Sequence, residues 1–294
     1  MSRQIISSLL NSKPKMLAFL FQLLNFSISI IIYRIIKVKE FTVRKIVLNL
    51  LVYKPLLRLA RRLNKDLLIY NSRWKYYFTP TDSSSYNIMM LSHEGDVPII
   101  LFKVLKNREK AIFIDVGAHQ GAYTLAFSPY CSLIIAIEAH PRNYEMLERN
   151  LKTNKVNNVL AINCAITSHE GKVILYSSQF SDLHTIHPLR IKTSKEKIEV
   201  PAYSLDTLLL EKLNLEKVDV LKIDVEGAEV EVLRGMNKIL DKLKPILVVE
   251  VFSKNLERVN NLLKTHNYRY EIIYESVGPI TNEKYFYLLA KPLS

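Results

Sequence analysis

The chain has 294 residues, 49% of them apolar, and a formal charge of +13. That is enough apolar material to bury a large core in one principal domain. Cys131 and Cys164 are the two cysteines, far apart and beside apolar runs, so no disulfide framework is expected and a reducing compartment is the simple reading.

Residues 1–66 precede any α/β pattern and read as a hydrophobic and basic helical appendage. Met16–Tyr33 contains no charged residue, but Gln22, Asn25, Ser27 and Ser29 dilute it. A membrane span needs about 20 apolar residues, so a spanning helix and a buried cap helix both remain open. From Arg34 to Lys65 ten basic residues face one acid, Glu40. Phe41 to Leu63 mixes apolar with basic residues around Pro55, which suits interfacial helices on an anionic membrane. A spanning Met16–Tyr33 would place the rest of the chain on the cytoplasmic side; otherwise the protein is expected in the cytoplasm.

Residues 67–294 read as the main domain. His93-Glu94 precedes a helix that starts near Val97, which Glu94 would cap. Ile112 to Val116 is a short apolar run that carries Asp115 and ends at Gly117, with Gly121 four residues on. Such a run is a buried parallel strand, and ligands bind beyond the carboxyl ends of such strands. Leu133 to Ile137 is a second strand, ending at Glu138, an acid placed to accept hydrogen bonds from both hydroxyls of a ribose. The turn lacks the three-glycine pattern that seats a pyrophosphate, and Asp115 suits a sulfonium and an ammonium better. S-adenosylmethionine is therefore expected ahead of a nicotinamide cofactor.

Pro141 to Leu151 is a helix with proline in its first turn, and Val159 to Cys164 is the third strand. Lys172–Tyr176 and Lys197–Tyr203 are extra strands around a polar insertion that carries His184, His187 and Arg190, which are weighed as acceptor contacts. Leu205 to Leu213 is a short helix. Val218 to Ile223 is the fourth strand, leading through Asp224 and Glu226 into a helix that runs on to Leu240. Ile246–Phe252 is the fifth strand, Asn255–Thr265 a helix, and Tyr268–Tyr274 with Tyr285–Ala290 a closing antiparallel pair.

Asp115-Val116-Gly117-Ala118, Gly121 with Tyr123-Thr124, Glu138, Asn163-Cys164-Ala165-Ile166, Ser204-Leu205-Asp206 and Lys222-Ile223-Asp224-Val225-Glu226-Gly227-Ala228-Glu229 together resemble the FkbM family of methyltransferases. The resemblance runs from about Leu67 to about Pro292, and the run Lys222–Glu229 is its most specific part. It implies an α/β doubly wound, mostly parallel seven-stranded sheet and an S-adenosylmethionine-dependent O-methyltransferase. It adds Ala118, His119, Tyr123, Asn163, Cys164 and Ala165 to Asp115, Gly117, Gly121 and Glu138 as cofactor contacts. His119 departs from the family's usual Asn and Ala139 from a common Pro, while His93-Glu94 sits where the family often carries a Glu near the pocket, with capping of the helix near Val97 as the alternative for that pair.

The implied acceptor is a hydroxyl of a sugar, glycan or glycolipid. Asp224 or Glu226 would orient or deprotonate it, and Lys222 would neutralise that pair. Capping of the next helix is the alternative for Asp224 and Glu229. No cluster has metal-ligand spacing, so no metal is expected. The charge also raises a nucleic-acid methyltransferase, but the basic residues crowd the N-terminal segment and the Asn/Asp-Pro-Pro-aromatic motif is missing, so no nucleic-acid partner is expected. A membrane-tethered protein that has lost catalysis is disfavoured by the intact Asp115, Gly117, Gly121, Glu138 and Asp224.

Overall fold

The computed structural model describes residues 67–70, 75–78, 94–177, 184–186, 196–278 and 282–293. Met16–Tyr33, the basic run after it, His93, His187 and Arg190 lie outside these residues. The chain divides into compact units of residues 1–83 and 84–294. In the first, β1 (Leu67–Tyr70) pairs antiparallel with β2 (Lys75–Phe78). No helix among the described residues is long and apolar enough to cross a membrane.

The second unit is built on a seven-stranded sheet. Its strands are β3 (Ala111–Val116), β4 (Cys131–Ile137), β5 (Val159–Ile162), β9 (Val220–Ile223), β10 (Ile246–Phe252), β11 (Tyr268–Val277) and β12 (Lys284–Pro292). Their order is β11-β12-β10-β9-β3-β4-β5. The five strands from β10 to β5 are parallel, as continuous apolar runs buried on both faces require. The C-terminal pair closes one edge of the sheet, as expected: β12 lies between β10 and β11 and is antiparallel to both. A smaller sheet joins β6 (Ala165–Ile166), β7 (Gly171–Ser177) and β8 (Glu196–Tyr203).

The helices are α1 (Val97–Lys106), α2 (Ala122–Phe127), α3 (Pro141–Asn154), α4 (Glu229–Arg234) and α5 (Leu256–Thr265). One face of the sheet packs Ile114, Val116, Ile135, Ile137, Leu221, Ile223 and Val249 into a continuous core with Val230, Leu233 and Leu263.

The helix expected to run to Leu240 is broken. α4 stops at Gly235, and a separate π-helical turn covers Ile239–Leu243. Two causes act together. Gly235 lies against the Thr167 carbonyl, so closely that a Cβ would collide with it. Asp206 then starts the next turn by accepting the Lys238 N–H at 2.8 Å and the Ile239 N–H at 3.0 Å. Asp206 is thus a structural member of its motif.

Candidate active site

Strand register gathers the site on one face of the sheet. Asp115 lies opposite Lys222, and Val249 lies opposite Ile223, so Glu250 falls one step further on, beside Asp224. Tyr287 lies opposite Glu250. Side chains alternate along a strand, so these polar groups project away from the face that carries Ile114, Leu221 and Val249. Asp115, Lys222, Asp224 and Glu250 line a cavity of about 440 Å³ with residues from the β3–α2 turn, the end of β4, and the edge strands.

The turn after β3 is shaped by its backbone. Gly117 has φ +80°, and a Cβ there would run into the carbonyl oxygen of Asp224. The N–H groups of Gly117 and Ala118 both donate to the Ile137 carbonyl at 2.9 Å. His119 has φ +52°, a left-handed conformation for which Asn and His are enriched among non-glycine residues. The departure from Asn therefore keeps the turn. Gly121 caps α2 at φ +90° against Leu147 and does not line the cavity.

Glu138 accepts the His119 N–H on Oε2 and the His140 N–H on Oε1, each at 2.8 Å. A carboxylate offers about four lone-pair sites, and with a further hydrogen bond from Asn143 three of them are taken, which leaves one for a ligand. Burial pushes its pKa up to about 7, against the pull of the His140, His119 and Asn143 hydrogen bonds. Asp115 is fully buried. Its Oδ2 accepts from Thr124 Oγ1 at 2.6 Å, while Oδ1 has no hydrogen-bond partner among the described residues. Burial raises its pKa, and Lys222 opposes that rise. Cys164 and Ala165 line the cavity, as do Ala118, His119 and Tyr123. Asn163 does not. Its amide donates to the carbonyls of Glu138 and Ala139 at 2.8 and 3.1 Å and so holds the loop that carries Glu138.

Lys222 is 2% exposed. Its Nζ donates to Asp224 Oδ2 at 2.8 Å and lies 4.6 Å from the centre of the Tyr123 ring. Burial alone would lower its pKa, but the carboxylates of Asp224, Glu94 and Asp115 outweigh it and hold the ammonium above its usual range. Tyr287 also donates to Asp224 Oδ2, at 3.1 Å. Asp224 is therefore not a helix cap; α4 has Ala228 at its N-cap and no side-chain cap. Glu229 is spent structurally, accepting from the Gly227 N–H at 3.0 Å and from Asn255 Nδ2 at 2.8 Å.

Two cavity acids come from outside the motifs. Glu94 does not use its side chain to cap α1. The Val97 N–H takes its backbone carbonyl at 3.1 Å, and the carboxylate accepts the Tyr123 hydroxyl inside the cavity. Glu250 was not singled out from sequence. The one signal was an acid alone in the apolar run Ile246–Phe252. Oxygens of Asp224, Glu226 and Glu250 all lie within 4.8 Å of one another, a grouping that no spacing along the chain displays. His184 lines the cavity and stacks on His140, ring centres 3.8 Å apart. Burial lowers the pKa of both rings, that of His140 to about 4.

The family model for the methyltransferase FkbM domain matches residues 115–270. Among curated proteins, none matches the sequence. Similar solved structures include a precorrin-6y C5,15-methyltransferase from Geobacter metallireducens GS-15, at 16% identity over 67% of this chain and 87% of that one, TM-score 0.42. A methyltransferase FkbM from Methylobacillus flagellatus KT is 17% identical over 61% of this chain and 43% of that one, TM-score 0.42. M. jannaschii TYW2 in complex with AdoMet is 14% identical over 77% and 85%, TM-score 0.43. With the family model spanning more than half of its length, from the cofactor-side Asp115 through the Lys222–Glu229 run, the chain belongs to the FkbM family of S-adenosylmethionine-dependent methyltransferases.

Proposed function

We propose that the protein methylates a hydroxyl of a sugar, glycan or glycolipid, with S-adenosylmethionine bound between Asp115 and Glu138. The observation that carries this reading is the carboxylate group Asp224, Glu226 and Glu250, which shares one cavity with the cofactor-side residues.

The cavity residues fit the cofactor. Asp115 Oδ1 is a buried acceptor without a hydrogen bond among the described residues, suited to a cationic group. Glu138, held by the His119 and His140 N–H groups and by Asn143, keeps an acceptor site for a ribose hydroxyl. Gly117, in the turn beside Asp115, lines the same cavity. When bound, the cofactor supplies a methyl group on a positively charged sulfur.

The acceptor oxygen needs its electron pair for the new bond to carbon, so its proton must be received elsewhere. Lys222 is held as an ammonium and cannot take it. Its role is to fix Asp224 through Oδ2 together with Tyr287, which leaves Asp224 Oδ1 for the acceptor. Asp224 or Glu226 then orients the hydroxyl and receives its proton.

Among the described residues, Glu94, Asp115, Glu138, Asp224, Glu226 and Glu250 line the cavity against one lysine, Lys222. Such a lining disfavours a polyphosphate backbone and suits an uncharged hydroxyl. We also infer that residues 1–66 hold the protein at a membrane, on the strength of the uncharged Met16–Tyr33 run and the basic run behind it. The test is to incubate the full chain with methyl-labelled S-adenosylmethionine, a membrane glycolipid extract and, in parallel, RNA. Label is expected in the glycolipid fraction. Label in RNA alone would overturn the reading.

A further inference from the structure

We propose that Asp224, Glu226 and Glu250 form a binding site for a hard divalent cation of the magnesium or manganese type. The three side chains each offer an oxygen, and these oxygens lie within 4.8 Å of one another. Carboxylate oxygens in this number suit magnesium or manganese better than the softer metals.

A second observation is independent of the clustering. Glu250 is only 7% exposed and lines the cavity, and its Oε1 has no hydrogen-bond partner among the described residues. A carboxylate so buried is costly unless something positive or protic meets it. The neighbouring groups do not meet it. Lys222 donates to Asp224 Oδ2, and so does Tyr287. The Tyr123 hydroxyl is given to Glu94, and the Thr124 hydroxyl to Asp115. Asn255 and the Gly227 N–H are taken by Glu229. Among the described residues two buried carboxylate oxygens are left without a hydrogen bond, Asp115 Oδ1 on the cofactor side of the proposed site and Glu250 Oε1, and the second lies where three carboxylates converge.

The site is also held in place. Asp224 is fixed by Lys222 and Tyr287, and the Glu226 carbonyl accepts from Thr185 Oγ1 at 2.8 Å. Glu250 is carried by a strand paired on both sides. A cation here would polarise an acceptor hydroxyl. That use rests on the hydroxyl-methylation reading; binding of the ion does not.

The test is manganese titration of the full chain in detergent, with free manganese followed by electron paramagnetic resonance. One saturable site per chain is expected in wild type. Glu250→Gln and, separately, Glu226→Gln should weaken it at least about tenfold, with circular dichroism confirming the fold of each. Manganese should also raise the melting temperature of wild type and leave that of Glu250→Gln almost unmoved. No saturable site in wild type, or two variants that bind manganese as wild type does, overturns the inference. Calorimetry with S-adenosylmethionine on the same sample separates the two ideas. Cofactor binding without manganese binding removes the cation and leaves the methyltransferase reading standing.

Discussion

Replacing Lys222 by methionine tests the polar layer most directly. The ammonium is 2% exposed and lies 2.8 Å from Asp224 Oδ2, with the Tyr123 ring beneath it. At an effective dielectric of 20, two unit charges at that separation attract by roughly 6 kcal/mol, an upper figure before desolvation is counted. Breaking a buried pair by removing one partner costs about 3–5 kcal/mol, because the remaining charge is left in a poor solvent. The cost at Lys222 should fall in that range, since Asp224 keeps only the Tyr287 hydroxyl while Glu94 and Asp115 lose the cation that offsets them. Asp224→Asn should cost less, because Lys222 retains those two carboxylates and the Tyr123 ring. The double variant should lose less than the sum of the two, with a coupling of about 1–3 kcal/mol. Urea denaturation of the four proteins, followed by circular dichroism at matched slopes, measures this cycle. A Lys222→Met cost below about 1 kcal/mol, or strict additivity, would refute the claim that the pair operates in a water-poor layer.

Four further outcomes are expected. Glu138 has its pKa pushed up to about 7 by burial, so it binds a proton that the unfolded chain releases at lower pH; its ionisation therefore lowers stability as pH rises to about 7. Ribose recognition needs the ionised form, so S-adenosylmethionine affinity should climb with pH between about 5.5 and 7 and then level, by calorimetry, and Glu138→Gln should flatten the curve. Glu138→Ala should weaken binding by about 1.5–3 kcal/mol. Asp224→Asn should hold cofactor affinity within a few-fold and lower turnover by about 10²–10⁴, read by single-turnover transfer to the acceptor; normal turnover would move the proton to Glu226 or Glu250. Carbonate extraction should leave the full chain with membranes if Met16–Tyr33 spans, and full-length protein wholly in the soluble fraction before extraction would exclude both spanning and stable surface binding.

The strands could be read from the sequence because parallel strands buried on both faces leave unbroken apolar runs, and β3, β4 and β10 begin or end within about two residues of where those runs do. The cavity acids Asp115 and Glu138 were legible for a related reason: they interrupt or close such runs. What the sequence withheld depends on pairing between distant segments. Glu250 meets Asp224 only through the β9–β10 register, and Tyr287 reaches both only because β12 runs beside β10. The break at Gly235 was hidden because Val232, Leu233, Met236, Ile239 and Leu240 keep helical spacing across it. The cause is a backbone approach from Thr167 and a cap from Asp206, neither of them local. Gly121 and Asn163 were assigned to the cofactor, yet they shape the loops around the cavity instead of lining it.

The contact between Gly117 and Asp224 links two halves of the reaction mechanically. The cofactor turn and the first residue of the acceptor-side run touch backbone to backbone, with no room for even a methyl group, and the Asp224 N–H donates to the Val116 carbonyl at 3.0 Å. A shift of either segment must carry the other with it, so the distance between donor and acceptor is set by main chain and is insensitive to side-chain replacement nearby. Ser276, Val277, Gly278 and Tyr285 border the same cavity from the β11–β12 pair. Under the proposed hydroxyl methylation, this joint would align the reacting atoms through main chain, and the choice of acceptor would be left to side chains elsewhere on the cavity wall.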